Sequence, residues 1–188
     1  MTLRVWIGCL ADYNAGRLIG DWFDISTDPD ENAANVRAVL AKSKEPNAEE
    51  AFCADYEAPR VLSQLLGEYP GAATLAHAAR LWEAVSERFP DDDEAAAVID
   101  QMTDGYQSPD LESFADNAED WISERFAGEG DTIADWCESF LEDTGELTEV
   151  PERWRPYIDV ESYARDLELG GDISTTRVGG KVLVFWNR

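Results

Sequence analysis

Side chains able to do covalent or metal chemistry are scarce in this chain. Its one histidine, His77, sits between Ala76 and Ala78 with no serine or cysteine constellation to match it, and so reads as structural instead of as a general base. Cys9, Cys53 and Cys137 are odd in number, widely spaced and in no C-x-x-C pair. They read as small buried thiols, not as disulfide partners or zinc ligands. Neither a G-x-x-x-x-G-K nor a G-x-G-x-x-G run occurs, and Gly170-Gly171 and Gly179-Gly180 look like turns between strands. Asp91, Asp92, Asp93 and Glu94 lack the alternation and glycine of a calcium loop; they suit the positive end of a helix dipole. What remains in abundance is carboxylate, 40 Asp and Glu against 15 Lys and Arg. In such a chain some pair always looks fit for acid–base work, so a pair alone carries no information. The expectation is a non-enzymatic protein with no cofactor, no metal and no small-molecule substrate.

The spacing of the carboxylates says more than their number. From Ser108 to Phe126, Leu111, Phe114, Ala118, Trp121, Ile122 and Phe126 recur at helical intervals, while Glu112, Asp116, Asp120 and Glu124 recur every fourth residue. Between Asp131 and Glu142 the device repeats: Ile133, Trp136, Cys137, Phe140 and Leu141 form the apolar stripe, and Asp131, Asp135, Glu138 and Glu142 the polar one. Thr144-Gly145 ends it. Four residues advance a helix by about 6 Å, so two such ladders side by side show a carboxylate about every 3 Å. One DNA strand shows a phosphate about every 3.4 Å.

A charged outer face is what any surface helix has, and spacing alone favours that bland reading. The sign argues against it. Surface helices usually interleave Lys and Arg because like charges four apart repel by about 0.2–0.5 kcal/mol; here the repulsion is accepted repeatedly. A proteome-wide acidity of the halophile kind is compatible with three Lys against twelve Arg, but fits the distribution less well. Net charge is −5 over residues 1–60, −7 over 61–105 and −16 over 106–172, while the last sixteen residues hold three bases and no acid.

The total of −25 costs stability by self-repulsion and disfavours direct contact with nucleic acid or an anionic membrane; a partner should be basic. With 44% hydrophobic residues and seven Trp, the chain is nonetheless a folding sequence and not a disordered acidic tail. The first ten residues show neither a long apolar stretch nor a cleavage signal, which points to a cytoplasmic protein.

The elements that must carry these residues are legible in outline. Leu3 to Cys9 and Leu18 to Ile25 read as strands joined by a turn at Asp12-Tyr13-Asn14-Ala15-Gly16. Glu31 to Ser43 reads as a helix after Asp28-Pro29-Asp30, and Phe52 to Tyr56 as a third strand. Thr74 to Phe89 is an amphipathic helix stopped by Pro90, and a second runs from Asp91 to Met102. A Pro-punctuated crossing over 149–159 leads to a helix over 160–167. A hairpin of Asp172–Thr176 and Lys181–Trp186 closes the chain around Gly179-Gly180. Arg153, Arg155 and Arg165 are expected to make local ion pairs in the acidic surround. The fold class is α+β: small antiparallel sheets with packed helices.

Several blocks in one order resemble the ArdA antirestriction family. They are Val5-Trp6-Ile7-Gly8-Cys9-Leu10, Tyr13-Asn14-Ala15-Gly16, Gly20-Asp21-Trp22-Phe23 and Ala54-Asp55-Tyr56-Glu57. The most specific runs from Glu142-Asp143-Thr144-Gly145 through Val150-Pro151, Tyr157-Ile158-Asp159 and Tyr163-Ala164-Arg165-Asp166-Leu167 to Gly171-Asp172. The resemblance implies a protein of mobile genetic elements with three small domains in a line, here 1–61, 62–106 and 107–188, the last forming a homodimer. It also implies that an elongated surface imitates bent B-form DNA, occupies the groove of the Type I restriction-modification methyltransferase core and blocks restriction, often with modification. The mimic surface would be Asp91, Asp92, Asp93, Glu112, Asp116, Asp120, Glu124, Asp131, Asp135, Glu138 and Glu142. Gly145, Val150, Pro151, Tyr157, Asp159, Tyr163, Arg165 and Asp166 would be motif residues.

The charge supports elongation independently. A dimer carries about 50 negative charges, the load of about 85 Å of duplex, whereas a compact globule of one chain has a radius of gyration near 16 Å. The main rival is an acidic binding module or chaperone for some other basic nucleic-acid-binding protein; a two-carboxylate hydrolase is a distant third.

Overall fold

Alternation decides the first element. In β1 (Arg4–Cys9), Val5, Ile7 and Cys9 are buried while Arg4 and Trp6 lie partly open. The computed structural model, which describes residues 1–104 and 110–187, pairs β1 antiparallel with β2 (Gly20–Asp24) and β3 (Ala51–Glu57) in the order β2-β1-β3. The link between β1 and β2 differs from the expected turn. It begins with a short helix, α1 (Leu10–Asn14), followed by Gly16 at φ +77°. The helical turn buries the Asp12 carboxylate where Arg17 and Ser43 reach it, a long-range requirement that turn chemistry does not announce.

Helix α2 (Pro29–Leu40) starts as its sequence demands: Asp28 accepts from the Asp30 N–H, and proline takes the first position. It packs on the sheet and against α4 (Ala72–Arg88), whose Leu75, Ala78, Leu81, Trp82 and Val85 form its buried stripe. Between them lies α3 (Arg60–Leu66), a seven-residue helix bounded by Pro59 and by Gly67 at φ +64°. Helix α5 (Asp92–Thr103) is capped by Asp91 and buries Ala95, Val98, Ile99 and Met102.

The single helix expected over 108–126 is interrupted. Its start at Ser108, like the 106/107 domain join, lies outside the described residues. α6 (Leu111–Asp116) ends at Asn117, which leaves helical geometry and donates its side-chain amide to the Ser113 carbonyl. That local competition with the backbone is why asparagine is a poor helix interior. α7 (Ala118–Arg125) follows, and Phe126 already belongs to a strand, β4 (Phe126–Gly130).

β4 belongs to a second antiparallel sheet, ordered β4-β6-β5, with β5 (Ile173–Val178) and β6 (Lys181–Trp186) joined at Gly179 and Gly180. Both glycines have positive φ, as a two-residue hairpin of this hand requires. In the central strand β6, Val182, Leu183, Val184 and Phe185 are all buried, so both sheet faces are covered there. On one face α8 (Ile133–Asp143) and α10 (Val160–Gly170) supply Trp136, Cys137, Leu141 and Ala164 to a cluster with Ile173, Val182 and Val184. Phe185, on the other face, meets the rings of Trp121 and Phe126 at 5.8 and 5.7 Å.

Short pieces bridge α8 and α10: α9 (Glu146–Glu149) and a 3₁₀ helix over Glu152–Tyr157. The chain divides into two compact units, Met1–Glu119 and Asp120–Arg188. Each joins one small antiparallel sheet to helices, so the fold class is α+β. Among the described residues, no helix is long and apolar enough to cross a membrane.

Candidate functional site

Cys9, Cys53 and Cys137 are buried and unbridged, and burial pushes the thiols of Cys53 and Cys137 up from their ordinary value. His77 lies half-buried on α4 between Ala76 and Ala78.

The eleven carboxylates singled out for the mimic surface do not stand in equivalent places. In the first unit, Asp91 accepts from the backbone N–H groups of Asp93 and Glu94 at 3.0 and 3.1 Å, so it is the N-cap of α5. Asp92 lies 2.6 Å from the N-terminal ammonium of Met1, and Asp116 pairs with Arg80. Asp93 and Glu112 are exposed and have no such partner among the described residues. In the second unit, Asp120 and Glu124 lie one turn apart on α7, and Asp135, Glu138 and Glu142 follow one face of α8. All five are exposed. Asp131 falls ahead of α8, because Thr132 is the cap: its hydroxyl accepts from the Asp135 N–H at 3.1 Å and donates to the Asp135 carboxylate at 2.7 Å. The two ladders of four thus become Glu112–Asp116, Asp120–Glu124 and Asp135–Glu138–Glu142.

The bases nearby in sequence do not neutralise these ladders. Arg155 donates to the carbonyls of Val150 and Thr148 at 3.1 and 3.4 Å, Arg153 stacks on Trp154, and Arg165 reaches the Ser162 hydroxyl at 3.4 Å. Among the described residues these arginines make carbonyl, ring and hydroxyl contacts where ion pairs were expected, although the Arg165 charge still helps hold the Asp159 carboxyl down. The geometric reason is that the 3₁₀ helix turns Arg155 back onto the chain that precedes it.

Two of the eight motif residues, Gly145 and Asp159, act as architecture. Gly145 takes φ +82°, the left-handed position that ends α8 and starts α9. Asp159 caps α10, accepting from the Ser162 N–H at 2.9 Å and its hydroxyl at 2.8 Å; these bonds hold its carboxyl below the usual range. Val150 is half-buried, while Pro151, Arg165 and Asp166 are exposed. Tyr157 is 80% exposed, with its ring 6.1 Å from that of the exposed Trp154, and Tyr163 is 43% exposed.

Sequence reasoning missed the buried carboxylate of Asp12, which is 0% exposed. Hydrogen bonds from Ser43, then Arg17, Cys9 and the Lys44 backbone, outweigh burial and hold it well below the usual carboxylate range. The Ser43 bond spans 31 residues, and no local pattern signals it. Arg17 Nε lies 2.8 Å from Asp12, and the same guanidinium also meets Glu45.

Fold and surface together define an acid-faced α+β protein; among the described residues no cation stands against Asp120, Glu124, Asp135, Glu138 or Glu142 of its second unit. The chain belongs to the ArdA family: the family model for the antirestriction protein (ArdA) matches residues 5–181. It is therefore an antirestriction protein by family. Comparison with curated proteins finds none that matches this chain.

Proposed function

We propose that the protein is a DNA mimic that occupies the DNA groove of the Type I restriction-modification methyltransferase core and thereby blocks restriction. One observation carries this reading: Asp120, Glu124, Asp135, Glu138 and Glu142 are exposed on successive helices and form no ion pair among the described residues. A solvated face on an ordinary helix offsets its acids with bases at four-residue spacing; these helices place none there. To a basic groove such a surface offers charges at phosphate-like intervals, held by a folded backbone instead of a sugar chain. The three-part division at 1–61, 62–106 and 107–188 belongs to the same proposal. So does a cytoplasmic homodimer joined through the last part, where Trp154, Tyr157 and Leu169 offer exposed apolar surface.

The test is a variant with Asp120→Asn, Glu124→Gln, Glu138→Gln and Glu142→Gln. Each exposed charge contact is worth about 0.2–1 kcal/mol, so the loss of four should lower affinity for a purified Type I methyltransferase core about fourfold or more at low salt. The fall should shrink as salt rises. Unchanged affinity would place the function on another face.

A further inference from the structure

The outer face of the N-terminal sheet has an arrangement that the acid ladders do not explain. Strand register sets it out as three cross-strand rows: Asp24–Arg4–Glu57, Trp22–Trp6–Asp55 and Gly20–Gly8–Phe52. A bulge between Trp6 and Ile7 keeps both Asp55 and Phe52 on this face while Cys53 turns into the core. The opposite face, with Val5, Ile7 and Cys9, is the buried one.

Gly8 and Gly20 form a seat for the Trp6 indole. A Cβ on Gly8 would fall 2.4 Å from Trp6 Cζ3, and one on Gly20 would fall 2.4 Å from Cη2 and Cζ2. The ring therefore lies flat on the backbone of two strands, and Trp6 stays half-buried. Phe52 meets it edge-on at 6.1 Å, and Tyr13 packs on Phe52 at 5.2 Å.

The first row shows what such a face holds. The Arg4 guanidinium stands 5.5 Å from the Trp22 ring centroid, with Asp24 at 3.2 Å and Glu57 at 2.8 Å. It is a cation stacked on an indole and clamped by carboxylates. The second row sets Trp6 opposite Trp22, whose ring already carries the Arg4 guanidinium, and beside an exposed Asp55 whose carboxylate accepts the Tyr56 N–H at 2.8 Å; among the described residues no cation stands over Trp6.

We propose that this face is a stacking platform for arginine side chains of a basic protein partner, with Trp6 receiving a guanidinium plane beside the Arg4–Trp22 stack and Asp55 accepting its hydrogen bonds. The inference rests on the basic-partner part of the proposed function, and it adds a contact that phosphate imitation does not supply. Arginine stacks on aromatic faces where lysine offers a hydrated point charge, so the platform selects arginine.

The experiment titrates the full-length protein with octa-arginine and with octa-lysine at about 150 mM salt, following the indole N–H resonances of Trp6 and Trp22. Octa-arginine should bind about twofold to fivefold tighter and shift the Trp6 indole, since an exposed stacking contact is worth about twofold to fivefold. Trp6→Leu combined with Trp22→Leu should abolish that preference and leave octa-lysine affinity unchanged. If the double variant does not fold, the indole shifts of the unaltered protein decide. Equal affinity for both peptides, or arginine binding that leaves the Trp6 indole unmoved, would overturn the platform. Neither outcome bears on whether the protein displaces DNA from a methyltransferase, so failure of the platform and failure of mimicry are separable.

Discussion

The two compact units carry almost the same net charge for their size and present it in opposite ways. Residues 1–119 hold 24 acids and 8 bases, and residues 120–188 hold 16 and 7. In the first unit Arg4, Arg17, Lys42, Arg80 and the N-terminal ammonium each lie against carboxylates. In the second, Lys181 meets Glu129 at 3.2 Å, but Arg153, Arg155 and Arg165 bind a ring, carbonyls and a hydroxyl. Its acids are drawn from residues 120–172, and its hairpin has none. Net charge therefore does not locate an acidic interface. The mimicry proposal rests instead on whether the fold places cations beside the carboxylates.

The largest expected effect tests whether these regions are separate units. Trp136 is buried under β4, donates its indole N–H to the Ala127 carbonyl at 3.1 Å and fills the space left by Gly128. Trp136→Ala should cost about 3–5 kcal/mol. Amide exchange should show protection lost in β4, β5 and β6 but kept in β1, β2 and β3. Equal loss in both sheets would merge the two units into one.

Acid separates the regions more gently. Because the Asp12 carboxyl is held below its ordinary range, the folded state binds that proton less readily than the unfolded chain. Its contribution is complete above the unfolded value of about 3.9 and is lost as pH falls toward the folded one. Melting of the first unit should drop with pH in that window, and Asp12→Asn should flatten the slope while lowering stability at neutral pH. An unchanged slope in the variant would remove Asp12 from the stability of this unit.

The smallest effect concerns the ladder that crosses the interruption at Asn117. With Glu112, Asp116, Asp120 and Glu124 as amides, only two repulsive pairs within a helix are relieved, together about 0.4–1 kcal/mol. The Arg80–Asp116 pair, exposed on both sides, is lost at about 0.2–1 kcal/mol. The melting temperature should therefore stay within a degree or two of the parent. A clear gain would mean that the four carboxylates repel as one continuous row.

Where local physics decides, the sequence could be read. Alternation marks β1, Asp28 and Asp91 mark the starts of α2 and α5, Pro90 follows α4, and Gly179-Gly180 marks the hairpin. The apolar stripe of α8 came out residue for residue, since its period of 3.6 runs uninterrupted from Ile133 to Leu141. Where tertiary contacts decide, it could not. β4 reads Phe126-Ala-Gly-Glu-Gly, with no alternation, and is a strand because β6 pairs with it and Trp136 needs its glycines. The α1 turn exists for a carboxylate whose partner lies 31 residues away. In the candidate surface the exposure of the acids on α6, α7 and α8 followed from the helical period, whereas the pairing of Asp116 with Arg80 and of Asp92 with Met1 depended on packing that no spacing reveals.

The most direct measurement is a competition. Labelled duplex DNA bound to a purified Type I methyltransferase core is titrated with this protein at about 50 mM and again at about 200 mM salt. Mimicry predicts that the DNA leaves in step with binding of the protein, that no complex holds both, and that the protein's own affinity weakens at the higher salt. A ternary complex carrying duplex and protein together, or binding that stays flat with salt, would contradict it.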